Sequence, residues 1–255
     1  MLIWEKYFIW ISLGLIFALE VITPRTKQSF RKKALGQDLF WFVFIEYFYN
    51  WVLLLLRINV IVLVYDLYKF LGIPQLLVQE LPIFFQVLIF LISLTFFNYW
   101  VHRLYHSTPF LWRFHMLHHS SENLNIFSTY RIHFLTLFLI DFLSFAGVTL
   151  IAFDGISIEI AMLVFTVWNL LLHANISLRI PLLSKVFILP QDHYWHHSKT
   201  MKHKFGQNFG TIFSFWDRLF GTYYSNDGLT ETGVNSDEYP AHALKRLIYP
   251  FLKKK

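Results

Sequence analysis

Eight of the twelve histidines in this sequence fall in three bursts: His102-x-x-x-His106, His115-x-x-His118-His119 and His193-x-x-His196-His197. On an α-helix, positions i, i+3 and i+4 project from one face over successive turns, so each burst aims two or three imidazoles at a common point. Neutral imidazole is a ligand for Fe, Zn, Cu and Ni. The chain has no cysteine, which removes thiolates, and any metal must be held by nitrogen and oxygen. A single zinc takes about four ligands. Eight histidines, with His173 as a ninth and His133 as a tenth candidate, therefore imply two metals. An all-nitrogen two-metal site opening towards lipid suits oxygen activation on a hydrocarbon. Breaking an unactivated C–H bond is work for iron and O₂, beyond side-chain acids and bases.

The elements that must position these residues are apolar. Of 255 residues, 56% are hydrophobic, 20% aromatic and only 15% charged, against roughly 25% charged in soluble domains. The expected fold is all-α: a multi-pass transmembrane bundle of about four to five spans with a cytoplasmic-facing, histidine-rich helical cap holding a dinuclear site. The predicted helices are Tyr7–Ile22, Leu39–Leu56, Ile83–Val101, Phe134–Phe153 and Ile158–His173. Arg57 and Asn59 interrupt the second, and Val60–Leu71 forms an interfacial or bent extension. The basic cluster Arg25, Lys27, Arg31, Lys32 and Lys33 reads as a cytoplasmic loop under the positive-inside rule, and not as a nucleic-acid surface. Counting spans from it brings His102, His106, His133 and His173 to the cytoplasmic ends, with His193–His197 and the terminal Lys253–Lys255 on the same side. The apolar N-terminus lacks a small-residue cleavage site and reads as an anchor. Three regions are expected: residues 1–82 as membrane helices with an interfacial segment, 83–223 as the catalytic domain, and 224–255 as a cytoplasmic tail.

The three boxes resemble those of the fatty acid hydroxylase and sterol desaturase superfamily. So do Trp112-Arg113-Phe114, His173-Ala174-Asn175-Ile176, Asn208-Phe209-Gly210 and Phe215-Trp216-Asp217-Arg218-Leu219-Phe220-Gly221-Thr222. The resemblance runs from about Asn98 to Tyr223. It implies a membrane-bound non-haem di-iron oxygenase that uses O₂ and external electrons to hydroxylate or desaturate a lipid: a sterol, fatty acyl chain, ether lipid or aminolipid. It makes His102, His106, His115, His118, His119, His193, His196 and His197 ligands of two irons, with His173 added and zinc a substitute in purified protein. His133, Asn98, Asn175 and Asn208 are candidates for orienting a ligand or adding one. There are departures. Asn98 is the polar residue nearest the first box, where the family often has Asp, and Arg131-Ile132-His133 is followed by Phe134, where Pro is common. No His-Pro-Gly-Gly signature of a fused cytochrome b5 occurs. Electrons are expected from a separate cytochrome b5-like protein, ferredoxin or reductase, in a bacterial inner membrane rather than an endoplasmic reticulum.

Plainer readings stand beside these. Histidine near a helix C-terminus is common without a metal, because the terminal carbonyls favour it, and that weighs on His173. His203 and His242 read as loop residues. Asn98 shares a helix face with His102 and would orient its free ring nitrogen, or simply pack; Asp192 beside His193 is a weaker candidate. Glu46, Asp141, Asn169 and Arg57 lie within predicted spans, where charge is a functional signal. The rival functions are a membrane zinc-dependent hydrolase, which would want a carboxylate base among its ligands, and a metal-binding pseudoenzyme.

Overall fold

The computed structural model describes residues 3–27, 32–178, 180–200, 202–234, 239–240 and 242–252. Arg31 and Lys253–Lys255, used above as topology signals, lie outside these residues, and so does the side chain of Arg57. The described chain is mostly helical: α1 (Ile3–Ile22), α2 (Lys32–Val43), a π-helical turn (Phe44–Tyr49), α3 (Asn50–Phe70), α4 (Ile83–Ser107), α5 (Pro109–His119), α6 (Phe134–Val148), α7 (Gly155–His173), α8 (Pro190–His196), α9 (Phe215–Leu219) and α10 (Ala243–Ile248).

Helix α4 is the central beam. Its buried residues include Gln86, Phe90, Leu94, Asn98 and His102. These five, spaced four residues apart, form a row that winds slowly along the helix, and the burial that covers Phe90 and Leu94 continues to His102. At its start, Gln86 Nε2 donates to Asp154 Oδ2 (2.9 Å), while Gln86 Oε1 accepts from the Asp154 amide (2.9 Å). Asp154 precedes α7. The starts of α4 and α7 are thus clamped together and the two helices run parallel, each reaching its histidines at its C-terminal end. Helix α6 packs along α4 and α3. It approaches α4 so closely that a Cβ on Gly147 would lie 2.2 Å from the Phe97 ring. At the end remote from the histidines a two-residue parallel pair forms, β1 (Leu76–Leu77) on β2 (Ile151–Ala152).

Among the described residues two helices are long and apolar enough to cross a membrane, α4 and α7; their most apolar windows are only 39% and 22% buried within the protein. A core helix of a soluble domain would be covered, so these faces suit lipid. Tyr7–Ile22 and α6 are apolar but shorter. At about 1.5 Å per residue, the 15 residues of α6 reach about 22 Å, short of a hydrocarbon core of about 30 Å. Against the four to five spans expected, two helices among the described residues therefore reach full length. The predicted break at Arg57 and Asn59 is also corrected: α3 runs unbroken from Asn50 to Phe70, and Asn59 Nδ2 donates to the Leu55 carbonyl (2.7 Å) along the same helix. The irregularity falls earlier, in the π-helical turn that contains Glu46.

Candidate metal centre

The predicted histidines gather in two adjoining sets. One contains His102, His106, His115, His119 and His196; the other contains His118, His173, His193 and His197. Within each set the ligand atoms lie within 4.8 Å of one another. Helical geometry explains the partition. Residues i and i+4 differ by about 40° around the axis, whereas i+3 sits about 60° to the other side. Each i, i+4 pair stays in one set: His102 with His106, His115 with His119, and His193 with His197. Each i+3 residue, His118 or His196, crosses to the other. Boxes two and three thus stitch the sets together, and the His119 and His197 rings stack at 4.5 Å between centroids.

The rings cannot satisfy themselves by hydrogen bonding. His102 Nδ1 lies 2.9 Å from the Phe209 carbonyl, His173 Nδ1 2.9 Å from the Asn169 carbonyl, and His196 Nδ1 2.7 Å from the Gln207 carbonyl. A carbonyl accepts only, so each Nδ1 carries the proton and each Nε2 offers a lone pair to the site. Four Nε2 pairs approach at 3.0–3.2 Å: His102 with His115, His118 with His173, His173 with His193, and His193 with His197. Buried nitrogens without a partner remain on His106, His115, His118, His119, His193, His196 and His197. Edges of about 3.0–3.4 Å are what bonds of about 2.1 Å give in octahedral or tetrahedral coordination. Helices α4, α5, α7 and α8 all direct their C-terminal ends here, each equivalent to about half a negative charge. The donor set therefore fits two cations held by imidazole. Neither set includes a carboxylate.

The remaining candidates fall elsewhere. His133 is corrected: its Nδ1 accepts from the Leu135 amide (3.2 Å), capping α6, and its Nε2 donates to the Leu247 carbonyl (3.1 Å), which leaves no lone pair for a metal. Asn98 does not orient His102, for its Nδ2 donates to the Leu94 carbonyl (3.2 Å). Asn175 clasps the 25–26 loop through the Thr26 amide, hydroxyl and carbonyl. Asn208, in the left-handed region at φ 55°, donates to the Asp192 and Tyr224 carbonyls and accepts from the Tyr224 amide. It thereby fixes the turn whose neighbouring carbonyls, Gln207 and Phe209, orient His196 and His102. Asp192 caps α8 through the Leu189 amide and receives the Tyr223 hydroxyl. His203 and His242 belong to neither set. Sequence reasoning missed the orienting carbonyls, which no side-chain pattern encodes. It also gave no role to Asp217, whose carboxylate accepts from the Phe209 amide (2.7 Å), the Gly210 amide (2.8 Å) and the Thr222 hydroxyl (2.6 Å). Its place in the Phe215–Thr222 stretch was the available signal.

Beyond this geometry, residues 87–222 match the fatty acid hydroxylase family model. The chain belongs to the fatty acid hydroxylase family. Among its relatives is an ornithine lipid hydroxylase of Rhizobium tropici, 35% identical over 69% of this chain and 53% of the relative. A human alkylglycerol monooxygenase is 25% identical over 52% of this chain and 29% of its own length. A fatty acid hydroxylase of a Lecanicillium species is 31% identical over 51% and 40% respectively. This hydroxylase-family chain thus spans about half the length of the first of these, or less for the others. No solved structure matches it.

Two expectations follow for this family member. Asp217→Ala strips two buried amides of their acceptor, at about 1–3 kcal/mol each, and frees the turn that holds the Phe209 carbonyl on His102. Metal affinity should fall about 10–100-fold, measured by competition with a chelator of known affinity. The second concerns pH. Burial first, then neighbouring histidine charge, holds His115, His118, His119, His193 and His197 well below the usual 6.5, and burial with the charge of His102 does the same for His196. The unfolded chain therefore binds more protons than the folded one once pH drops below about 6.5, and stability present above that value is lost as pH falls. Asp217, which burial raises to about 6, and Asp38, which burial also raises, act in the opposite direction but are outnumbered by the six histidines. Unfolding of the metal-free protein should be nearly independent of pH between about 7 and 8 and weaken steeply below about 6.5.

Proposed function

We propose that the chain is an oxygen-dependent lipid hydroxylase in which the two histidine sets hold two iron ions. The observation that carries this reading is the pair of all-imidazole sets with inward Nε2 lone pairs. Iron bound there would supply O₂ activation and cleavage of an unactivated C–H bond. The residues supply the rest. The Phe209, Gln207 and Asn169 carbonyls hold the protons on the outer nitrogens, and the buried surround keeps bulk water from the site. Overall, a lipid C–H bond becomes C–OH, the second oxygen atom leaves as water, and two electrons and two protons arrive from a separate donor. The family relatives, all named as lipid hydroxylases or monooxygenases, support a membrane lipid as substrate. A zinc hydrolase would want a carboxylate base, and neither set offers one.

The cytoplasmic orientation remains part of this proposal. It is supported by the Arg25 amide, which donates to the Asn175 carbonyl (2.8 Å), tying the basic 25–27 loop to the same end of the bundle as His173. Residues 83–223 would then form the catalytic unit. The test is lipid mass spectrometry of cells expressing the chain under ¹⁸O₂. A lipid gaining one ¹⁸O, absent from cells carrying His196→Ala, is expected; identical lipid profiles in the two strains would overturn the reading.

A further inference from the structure

Three of the five rings in the first histidine set are held from outside by one short stretch of chain. Alternate carbonyls of the segment 205–209 face them. The Phe205 carbonyl approaches the His106 ring as an acceptor, the Gln207 carbonyl accepts from His196 Nδ1 (2.7 Å), and the Phe209 carbonyl accepts from His102 Nδ1 (2.9 Å). Gly206 lets the segment come this close. It sits at φ +117°, and an added Cβ would lie 3.3 Å from His106 Nδ1. The buried Gln207 side chain braces the stretch, donating to the Trp195 carbonyl (2.7 Å) and accepting from the Lys202 amide (2.9 Å).

The outward side of the same stretch is cationic. Lys202 and Lys204 are exposed, as is Phe205, and positions 202–216 contain no Asp or Glu. The Lys202 ammonium lies 5.5 Å from the centre of the Tyr224 ring, and that of Lys204 lies 5.0 Å from the Phe205 ring. Such contacts hold a cation in place without neutralising it. Among the described residues neither lysine is paired with an acid. Exposed Arg218 adds a third cation over Tyr223, next to Tyr224 in the chain (3.7 Å). Asp217, whose carboxylate accepts from the Phe209 amide, is fully buried and presents nothing at this surface.

Lysines on a loop are ordinarily only solvated. Here they stand on the backbone that touches three rings of the centre, at the C-terminal end of the spanning helix α4. Hydroxylation requires two electrons from outside, and electronic coupling falls steeply with distance and is carried better through bonds than across gaps. From exposed Phe205 the route to His106 is one carbonyl contact. In the second set the carbonyl that orients His173, that of Asn169, lies within the spanning helix α7.

We propose that the segment 202–209 is the docking surface for an acidic, electron-carrying protein, and that electrons enter the centre at the first histidine set. This rests on the lipid-hydroxylase reading and names the surface through which its reductant acts. With a one-electron carrier, each encounter oxidises the carrier by one electron and reduces one ferric ion to ferrous. Two encounters supply the two electrons that, with two protons, accompany conversion of O₂ and a C–H bond into C–OH and water. Encounters of redox proteins use small interfaces, under about 1,200 Å² in total, and opposite charge raises their rate.

Docking is tested first without metal. The iron-free full chain in phosphatidylcholine nanodiscs is titrated with an oxidised, acidic [2Fe–2S] ferredoxin. Lys202→Glu combined with Lys204→Glu should weaken binding at least about tenfold at low salt. The difference should shrink between about 0.01 and about 0.15 M salt, as the screening length falls from about 30 to about 8 Å. Equal binding by both chains at both salt concentrations would overturn the proposal. So would a weakening seen only in nanodiscs containing phosphatidylglycerol, which would make the lysines a site for anionic lipid. In the second arm, the iron-loaded chain is mixed with reduced ferredoxin or with photoreduced lumiflavin, which is small and uncharged. The variant should lose at least about tenfold in the rate of iron reduction by ferredoxin and keep its rate with lumiflavin. Equal loss with both donors would show a damaged centre rather than a lost docking surface, and would overturn the proposal. Charge-dependent reduction with no lipid gaining ¹⁸O would uphold the surface and count against the hydroxylase reading. Unaltered reduction by ferredoxin with a lipid still labelled would do the reverse.

Discussion

Replacing His118 by alanine should abolish turnover and reduce bound iron from about two ions per chain to one or fewer. His118 comes from α5, yet it belongs with His173, His193 and His197, within 3.2 Å of His173 Nε2. Its removal leaves the four-histidine set with three donors drawn from α7 and from α8 and the residue that follows it. The effect on stability separates a metal role from a packing role. In the metal-free protein His118 is a buried ring with an unpartnered Nδ1, so its loss exchanges a small cavity for the relief of an unsatisfied polar atom, and the unfolding midpoint should change little. In the metal-loaded protein the stabilisation by binding disappears, about 2.7 kcal/mol at a free metal concentration a hundred times Kd. Unfolding with and without iron, alongside elemental analysis, measures both. An equal drop in both states would mean that His118 is a packing residue.

Asp38→Ala should be the most damaging substitution remote from the metals. Asp38 is fully buried on α2 and forms an ion pair with Arg131, whose Nε lies 2.7 Å from Asp38 Oδ1. The same carboxylate accepts from Asn125 Nδ2 (2.8 Å). Arg131 also donates to the carbonyl of Ser120 (3.0 Å), the residue that follows His119, and Arg246 reaches the Ser120 hydroxyl (3.2 Å). Truncating Asp38 leaves a guanidinium buried without its counter-charge, a loss of about 3–5 kcal/mol, and loosens the end of the second histidine box. Denaturant unfolding in detergent should show that loss. The double variant Asp38→Ala, Arg131→Met should recover much of it, since the uncompensated charge is then gone; no recovery would mean that the damage comes from the cavity or from lost contacts to Asn125.

The histidine boxes were legible in the sequence because helical periodicity is local. Spacings of three and four residues place rings on one face whatever the rest of the chain does. The apolar runs that became α4 and α7 were legible for the same reason, as was His173 at the end of the latter. The break expected at Arg57 and Asn59 was misread because a polar residue in an apolar run can return its hydrogen bond to its own helix, as Asn59 does to Leu55. His133 was ambiguous because a histidine before an apolar run fits a metal ligand and a helix cap equally well until its partners, Leu135 and Leu247, are seen.

What the sequence by itself determined was the inventory of imidazoles, the helical faces that carry them and the apolar character of their supports. Helix geometry keeps each i, i+4 pair together, but only tertiary structure decided which pairs share a set, giving one set of five and one of four, since that depends on how α4, α5, α7 and α8 cross. It alone decided which carbonyls fix the tautomers of His102, His173 and His196, because any residue offers the same carbonyl and only backbone course selects it. It also decided that Asp38 meets Arg131, 93 positions away. Contacts between distant segments leave no periodic trace in one chain, and those contacts turn three local motifs into one centre.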